Sequence, residues 1–190
     1  RTTKCSAKTT CYTLILNRTM PDLRIVFMGT PDFAVPTLQA LVEHNYKVVA
    51  VVTAPDKPAG RGQKIQQSPV KEYAVSQGIP VLQPTNLKSE AFLEELRSYQ
   101  ANLQIIVAFR MLPEVVWAMP GLGSFNIHGS LLPQYRGAAP INWAIINGEE
   151  ETGVTSFFLK HETDTGDLIF QDRLPILEDD DFGSMYEKLK

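Results

Sequence analysis

A pair of polar residues, Asn126 and His128, closes a strand-like run at 123–128 and is followed directly by the loop GSLLPQYRGAAP. Side chains two residues apart in a strand point to the same face, so Asn126 and His128 project together and Ile127 points to the opposite side. The asparagine amide is a neutral hydrogen-bond donor, and an imidazole can donate or accept a proton near neutral pH. Two such groups at a strand end suit an oxyanion formed in acyl or formyl transfer, each contributing about 3 kcal/mol in the transition state.

A carboxylate that could hold or deprotonate the imidazole follows in the stretch HETDTGD, which offers Asp164 and Asp167. The segment 164–166 (Asp-Thr-Gly) has the composition of a tight turn after a predicted strand at 154–159, and it could present Asp164 towards the same cleft. The histidine could instead be a purely structural residue, and that alternative stays open at this point. Ser130 suggests a Ser-His-Asp triad, but no GxSxG elbow exposes it, so we reject a serine hydrolase.

The elements that must position these residues alternate between apolar strands and amphipathic helices. Continuous apolar runs such as LRIVFM and KVVAVVT are typical of strands buried on both faces. This alternation predicts an α/β fold, a doubly wound and mostly parallel sheet with helices on both faces, which binds ligands at the carboxyl ends of its strands. Strands are predicted at 23–28, 47–53, 80–82, 103–109, 123–128 and 154–159, and helices at 33–44, 68–77, 89–99, 113–117 and from about 182 to the end.

The turn after the first strand argues against a dinucleotide-binding oxidoreductase. A Rossmann fingerprint would place GxGxxG there, but this chain has Gly29-Thr30-Pro31-Asp32-Phe33. The second glycine, which allows the backbone to approach a pyrophosphate, is missing. We therefore reject an NAD or FAD enzyme.

The composition excludes several other classes of protein. A net charge of −3 over 190 residues excludes a globally basic nucleic-acid binder and leaves only a local basic patch possible. No apolar run approaches the ~18 residues of a membrane span. Both cysteines, Cys5 and Cys11, precede residue 20, so no disulfide can stabilise the body of the fold, which suits a reducing compartment. The three histidines lack an HExxH or CxxC pattern, so we expect no metal site.

The segment 126–140, taken together with the later Asp-Thr-Gly, resembles the 10-formyltetrahydrofolate-dependent formyltransferases, and the resemblance extends over 20–190. It implies the Rossmann-like formyltransferase fold, 10-formyltetrahydrofolate as co-substrate, and a catalytic set of Asn126, His128 and Asp164. It also implies that a folate site is lined by Ser130, Leu131, Leu132 and Pro133, with a pterin-pocket wall formed by Phe109, Arg110, Met111 and Leu112. For that wall segment, plain packing between a strand and a helix remains the alternative.

The acceptor is suggested by the loop at 54–64 (APDKPAGRGQK) and the following Ser68-Pro69-Val70-Lys71. These resemble the insertion by which family members that act on methionyl-tRNA engage the acceptor end of the tRNA. Three cations, Lys57, Arg61 and Lys64, oppose a single Asp56 there, and a cationic loop can bind phosphates. An ordinary solvated loop would have a similar composition. The alternatives are formylation of an aminosugar nucleotide or of glycinamide ribonucleotide and, from another class, a folate- or RNA-binding module without catalysis.

The resemblance also implies a domain organisation. Residues 20–190 would be the catalytic domain, and the β-barrel domain that follows it in complete enzymes would be absent from this chain. We expect 1–19 to be an upstream or disordered segment, with an organellar transit peptide as the alternative. The protein is accordingly expected to be a cytoplasmic monomer that acts in translation initiation, or a matrix protein if 1–19 is a transit peptide.

Overall fold

A seven-stranded sheet forms the centre of the molecule. The computed structural model describes residues 22–59, 64–162 and 164–190, so the expectation for 1–19 falls outside the described residues. The strands, in the order in which they lie across the sheet, are β5 (Val81–Leu82), β2 (Lys47–Val52), β1 (Arg24–Gly29), β6 (Leu103–Val107), β7 (Ser124–His128), β8 (Glu151–Phe158) and β9 (Leu168–Pro175). The first five are parallel, and β8 and β9 are antiparallel to their neighbours. The predicted doubly wound, mostly parallel sheet is confirmed.

The central strand β1 shows how the sequence produces two cores. Its alternate side chains Ile25 and Phe27 enter one hydrophobic cluster, and Val26 and Met28 enter the other. All four are buried because both faces of the sheet are covered by helices. A continuous apolar run, rather than an alternating one, is therefore what this position requires.

The helices divide between the two faces. They are α1 (Val35–Glu43), preceded by a 3-10 turn at Asp32–Ala34, then α2 (Pro69–Ser76), α3 (Glu90–Ser98), α4 (Glu114–Trp117), α5 (Pro140–Ile146) and α6 (Phe182–Leu189). The first cluster includes buried residues from α1, α2, α5 and α6, and the second includes buried residues from α3 and α4. None of the helices in the described part of the chain is long and apolar enough to cross a membrane.

Helix boundaries follow the expected capping chemistry. The Ser68 hydroxyl accepts a hydrogen bond from the Lys71 N–H, and Pro69 occupies the first turn of α2, where its missing N–H is not needed. The α6 helix begins with a capping box in which Asp181 and Ser184 each bond to the other's backbone. These local interactions place α6 so that Met185 and Leu189 are buried.

Four elements were not predicted. Strand β9 was missed because its side chains are largely exposed and show neither a continuous apolar run nor a clear alternation. Helix α5 follows the Pro- and Gly-rich loop directly and is short. Within the basic loop, β3 (Lys57–Ala59) and β4 (Lys64–Gln66) form a separate two-stranded antiparallel hairpin, where an irregular loop was expected.

Candidate active site

A cavity of about 680 Å³ opens where the carboxyl ends of β1, β6 and β7 meet. Asn126 and His128 both line it, as their spacing on β7 predicts. Ile127 packs against the first hydrophobic cluster, which anchors the strand, and it also contributes to the cavity wall. The volume lies within the ~300–1,000 Å³ typical of small-molecule and cofactor sites.

His128 is held in one orientation by the loop that follows it. Its ring Nε2 lies 2.9 Å from the backbone carbonyl of Tyr135, and the residue is only 7% exposed. A carbonyl oxygen can only accept a hydrogen bond, so this contact places a proton on Nε2. The other ring nitrogen, Nδ1, then points towards Asp164, whose Oδ2 is 4.0 Å away.

Asp164 joins the pair from the turn after β8. Its Oδ2 accepts a hydrogen bond from the Gly137 N–H at 2.9 Å, and its backbone carbonyl accepts one from the Arg136 Nε at 3.1 Å. The 4.0 Å between Asp164 and His128 is longer than a hydrogen bond. Catalytic hydrogen bonds are often long before substrate binds, so a small ring or turn movement would complete the contact. The structure thus brings together all three residues predicted to be catalytic.

Strained backbone is concentrated around this cavity. Four non-glycine residues there have positive φ angles, which are unfavourable for side chains with a Cβ: Ala108 at 47°, Tyr135 at 56°, Ala139 at 55° and Asp164 at 54°. Each costs about 1–3 kcal/mol, which the surrounding structure must offset. The strain aims the Tyr135 carbonyl at the imidazole and the Asp164 carboxylate into the cavity, which is the pattern of a preorganised functional site.

The segment Phe109–Leu112 forms one wall of the cavity, as the resemblance implied. Met111 is 80% exposed, so it presents an apolar surface to anything that enters. The Arg110 guanidinium donates to the backbone carbonyls of Pro84 and Thr85, and it also lies over the Phe109 ring, 5.8 Å from its centroid. This segment therefore does more than pack a strand against a helix: it holds an apolar wall open to solvent.

The segment predicted to line a folate site consists of Ser130, Leu131, Leu132 and Pro133, and it lies between His128 and the loop that carries Tyr135. None of the four contributes to the cavity wall in the described part of the chain. The Ser130 hydroxyl is buried and donates to the Gln134 carbonyl, and the Thr155 hydroxyl of β8 bridges the Ser130 carbonyl and the Leu132 N–H. The loop turns back against β8 immediately after His128, so this segment supports the loop that carries Tyr135. The predicted contact of these four residues with folate stays a prediction.

Several residues of the wall were not predicted. The loop before α5 supplies Gly137 to Pro140, which are small residues that allow a ligand to approach the backbone. The last helix supplies Phe182 and Tyr186, whose helical spacing had indicated only that they must pack against something. The sequence GAAP preceding a helix could have indicated the first group, whereas nothing local to α6 indicated that it reaches the cavity.

The basic loop, residues 54–64, overlaps the β3–β4 hairpin. Lys57 is exposed on β3, and Lys64 begins β4, opposite Ala59 in the register. Arg61 lies outside the described residues. Lys57 and Lys64, the two predicted tRNA contacts that the structure describes, therefore lie on paired strands between β2 and α2. Among the described residues, no cluster of three His, Cys, Asp or Glu side chains could hold a metal ion.

A family described as Formyl transferase matches residues 23–190. The chain belongs to the formyl transferase family. Among relatives named methionyl-tRNA formyltransferase, that of Bacteroides fragilis is 66% identical over 168 residues, and that of Parabacteroides distasonis is 68% identical over 169. These alignments cover 88% of this chain and 52% of each relative, so the chain spans about half the length of the relatives it matches.

Solved structures confirm the formyltransferase fold. Phosphoribosylglycinamide formyltransferase from Streptococcus pneumoniae superposes with a TM-score of 0.73 at 22% identity, covering 88% of this chain and 90% of that one. A formyltetrahydrofolate deformylase from Pseudomonas syringae gives a TM-score of 0.69 at 20% identity, covering 87% of this chain and 55% of that one. At such low identity the likeness concerns the fold, and the site must be argued from its own residues.

Proposed function

We propose that residues 20–190 form a catalytic domain that transfers the formyl group of 10-formyltetrahydrofolate to the α-amine of methionyl-tRNA, for translation initiation. The observation that carries the proposal is the convergence of Asn126, His128 and Asp164 on one cavity at the carboxyl ends of the sheet. The choice of acceptor is supported by relatives at 60–68% identity that are named methionyl-tRNA formyltransferase.

The donor group enters between the polar pair and the apolar wall. The neutral amine of the acceptor attacks the formyl carbon, a carbon–nitrogen bond forms, and the carbonyl oxygen becomes an oxyanion. The Asn126 amide donates to this oxyanion from β7. His128 donates from Nδ1 in its doubly protonated form, because the Nε2 proton is already engaged by the Tyr135 carbonyl. Each donor contributes about 3–4 kcal/mol of transition-state stabilisation when it is held in place in advance.

Asp164 has the second role. As the amine attacks, it becomes positively charged and must lose a proton. The Asp164 carboxylate, fixed by the Gly137 N–H, is the base placed to take that proton directly or through one water molecule. Collapse of the adduct then breaks the bond from the formyl carbon to the folate nitrogen, and the proton passes to that leaving nitrogen. All charges balance without a covalent enzyme intermediate.

The bound folate would lie along the apolar wall. The segment 109–112 offers exposed apolar surface beside the catalytic residues, and Arg110 is held in place by backbone carbonyls. The part of the cavity lined by Phe33, Ile141 and Tyr186, which belong to or pack against the first hydrophobic cluster, is left for the acceptor. This division assigns Phe109, Arg110, Met111 and Leu112 to the donor and retains Lys57, Arg61 and Lys64 as tRNA contacts.

The test supplies radiolabelled 10-formyltetrahydrofolate together with methionyl-tRNA, glycinamide ribonucleotide or a UDP-aminosugar. We expect label to accumulate on methionyl-tRNA alone. Equal labelling of either small acceptor would replace the proposal with the corresponding alternative. Folate binding with no labelling of any acceptor would indicate a non-catalytic folate-binding module instead.

A further inference from the structure

A second polar cluster lies away from the cavity, at the base of the β3–β4 hairpin. We call it the hairpin clamp, and its members are Asp56, Lys71 and Gln83. The Lys71 ammonium lies 2.5 Å from the Asp56 carboxylate and 2.8 Å from the Gln83 side-chain oxygen. The Gln83 amide closes the triangle by donating to the other Asp56 oxygen at 2.7 Å. Each member is thus bonded to both of the others.

The clamp connects three segments that are distant in sequence. Asp56 directly precedes β3, Lys71 is in the first turn of α2, and Gln83 directly follows β5 of the main sheet. The Gln83 amide also donates to the Ala54 carbonyl at 2.8 Å. The clamp therefore ties the chain leading into the hairpin to both the following helix and the sheet.

A second contact holds the two ends of the same segment together. The hydroxyls of Thr53 and Ser68 lie 2.7 Å apart, at the end of β2 and at the cap of α2. Thr53 is fully buried, so this bond is shielded from water. The two residues that flank 54–67, the segment with the hairpin, are thus hydrogen-bonded to each other through their side chains.

The clamp differs from an ordinary surface ion pair. The side chains of Lys71 and Asp56 are 16% and 24% exposed, whereas those of the Lys47–Asp22 pair are 52% and 74% exposed. Hydrogen bonds from Lys71 and then Gln83 lower the pKa of Asp56 below its usual value. Because its charge is already neutralised by Asp56, Lys71 is poorly placed to serve as a phosphate ligand, unlike the exposed Lys57.

We propose that Asp56, Lys71 and Gln83 are positioning residues that hold the β3–β4 hairpin in place for the acceptor arm of the tRNA. This inference rests on the proposed function. Strands of three residues form at best a marginal hairpin on their own, so the orientation of this one must come from its base. Strands that are fixed at their base before binding lose less freedom on binding, and the gain appears as affinity for the acceptor.

The test compares Lys71→Met with Lys47→Met, which breaks an exposed Lys–Asp pair at the opposite end of β2. We expect Lys71→Met to raise the KM for methionyl-tRNA by about tenfold, the cost of ordering one or two further side chains. Its kcat and its affinity for a folate analogue should stay within about twofold of wild type, since the cavity is untouched. The isosteric Gln83→Glu, which removes both amide donor bonds, should act in the same direction.

Two further readouts separate positioning from general stability. The double variant Asp56→Asn/Lys71→Met should be no worse than the worse single variant, because both changes remove one interaction. Amide hydrogens in 54–59 and 64–67 should exchange faster in Lys71→Met and not in Lys47→Met, whatever the enzyme's substrate. Unchanged exchange there, or an unchanged KM in an active enzyme, would overturn the inference. A wild-type chain that does not formylate methionyl-tRNA would instead overturn the proposed function.

Discussion

Gly166 is not part of the cavity wall, but Gly166→Ala should strongly lower the turnover of the site. A Cβ at position 166 would lie 1.5 Å from the carbonyl oxygen of Phe158, whereas ordinary contacts begin at 3.4 Å. The turn must therefore move by 3.4 − 1.5 Å, which is about 1.9 Å, and it carries Asp164 two residues away. A displacement of that size breaks the 2.9 Å bond from the Gly137 N–H and takes the carboxylate away from His128.

A misplacement of about 1 Å can lower turnover by about 10²-fold, so we expect kcat for formylation to fall by at least that factor. The affinity for a folate analogue should change little, because the wall at 109–112 lies on other elements. Gly121→Ala is the matched control, since a Cβ there would meet nothing within 4 Å. Steady-state kinetics and a folate titration on both variants provide the measurement. A Gly166→Ala enzyme with wild-type kcat would refute the reasoning.

Three further outcomes follow from the same geometry. Asn126→Ala and His128→Ala should each lower turnover by about 10²-fold or more with circular dichroism unchanged, because each removes one oxyanion donor; wild-type turnover in either would remove that donor from the mechanism. Met111→Asp should weaken binding of a folate analogue at an unchanged melting temperature, because Met111 is exposed on the cavity wall. Leu132→Asp should lower the melting temperature, because Leu132 is buried. Weaker folate binding in Leu132→Asp at an unchanged melting temperature would support Leu132 as a folate contact. Asp180 has a folded pKa of about 2 against 3.8 ordinarily, with the hydrogen bond from Lys188 as the main cause. It therefore adds stability above about pH 4 that is lost as the pH falls towards 2. Asp180→Asn should reduce the dependence of the melting temperature on pH between about 4 and 2, and an unchanged dependence would contradict this.

The parts of the fold that could be predicted are those where the pattern of apolar residues in a short segment indicates which side chains are buried. The runs that became β1 and β2 are apolar on both faces, and only a strand covered by helices on both sides has that pattern. Strand β9 lies at the edge of the sheet, where exposure relaxes the requirement for an apolar run. Its position depends on pairing with β8, a long-range contact that its own residues do not encode.

The candidate site likewise contains residues that could be predicted from the sequence and residues that could not. Asn126 and His128 could be placed because a strand fixes the direction of residues two apart, and Asp164 because it follows the next strand. The partner of the imidazole could not be predicted: it is a backbone carbonyl, aimed by the positive φ of Tyr135. The side-chain directions of Ser130 to Pro133 could not be predicted for a related reason. Nearness in sequence to His128 says nothing about where side chains point once the chain turns back against β8.

The most direct test of the central claim, that the Asn126–His128–Asp164 site transfers a formyl group to methionyl-tRNA, compares two adjacent carboxylates. Asp164→Asn removes the charge beside His128, whereas Asp167→Asn removes an exposed charge that pairs with Lys160. Formylation of methionyl-tRNA is measured for both under saturating folate and at one salt concentration. We expect turnover to fall about 10²-fold or more in Asp164→Asn, in the range of other acid–base residues, and to stay at the wild-type level in Asp167→Asn. Equal turnover in the two variants would contradict the assignment of this site.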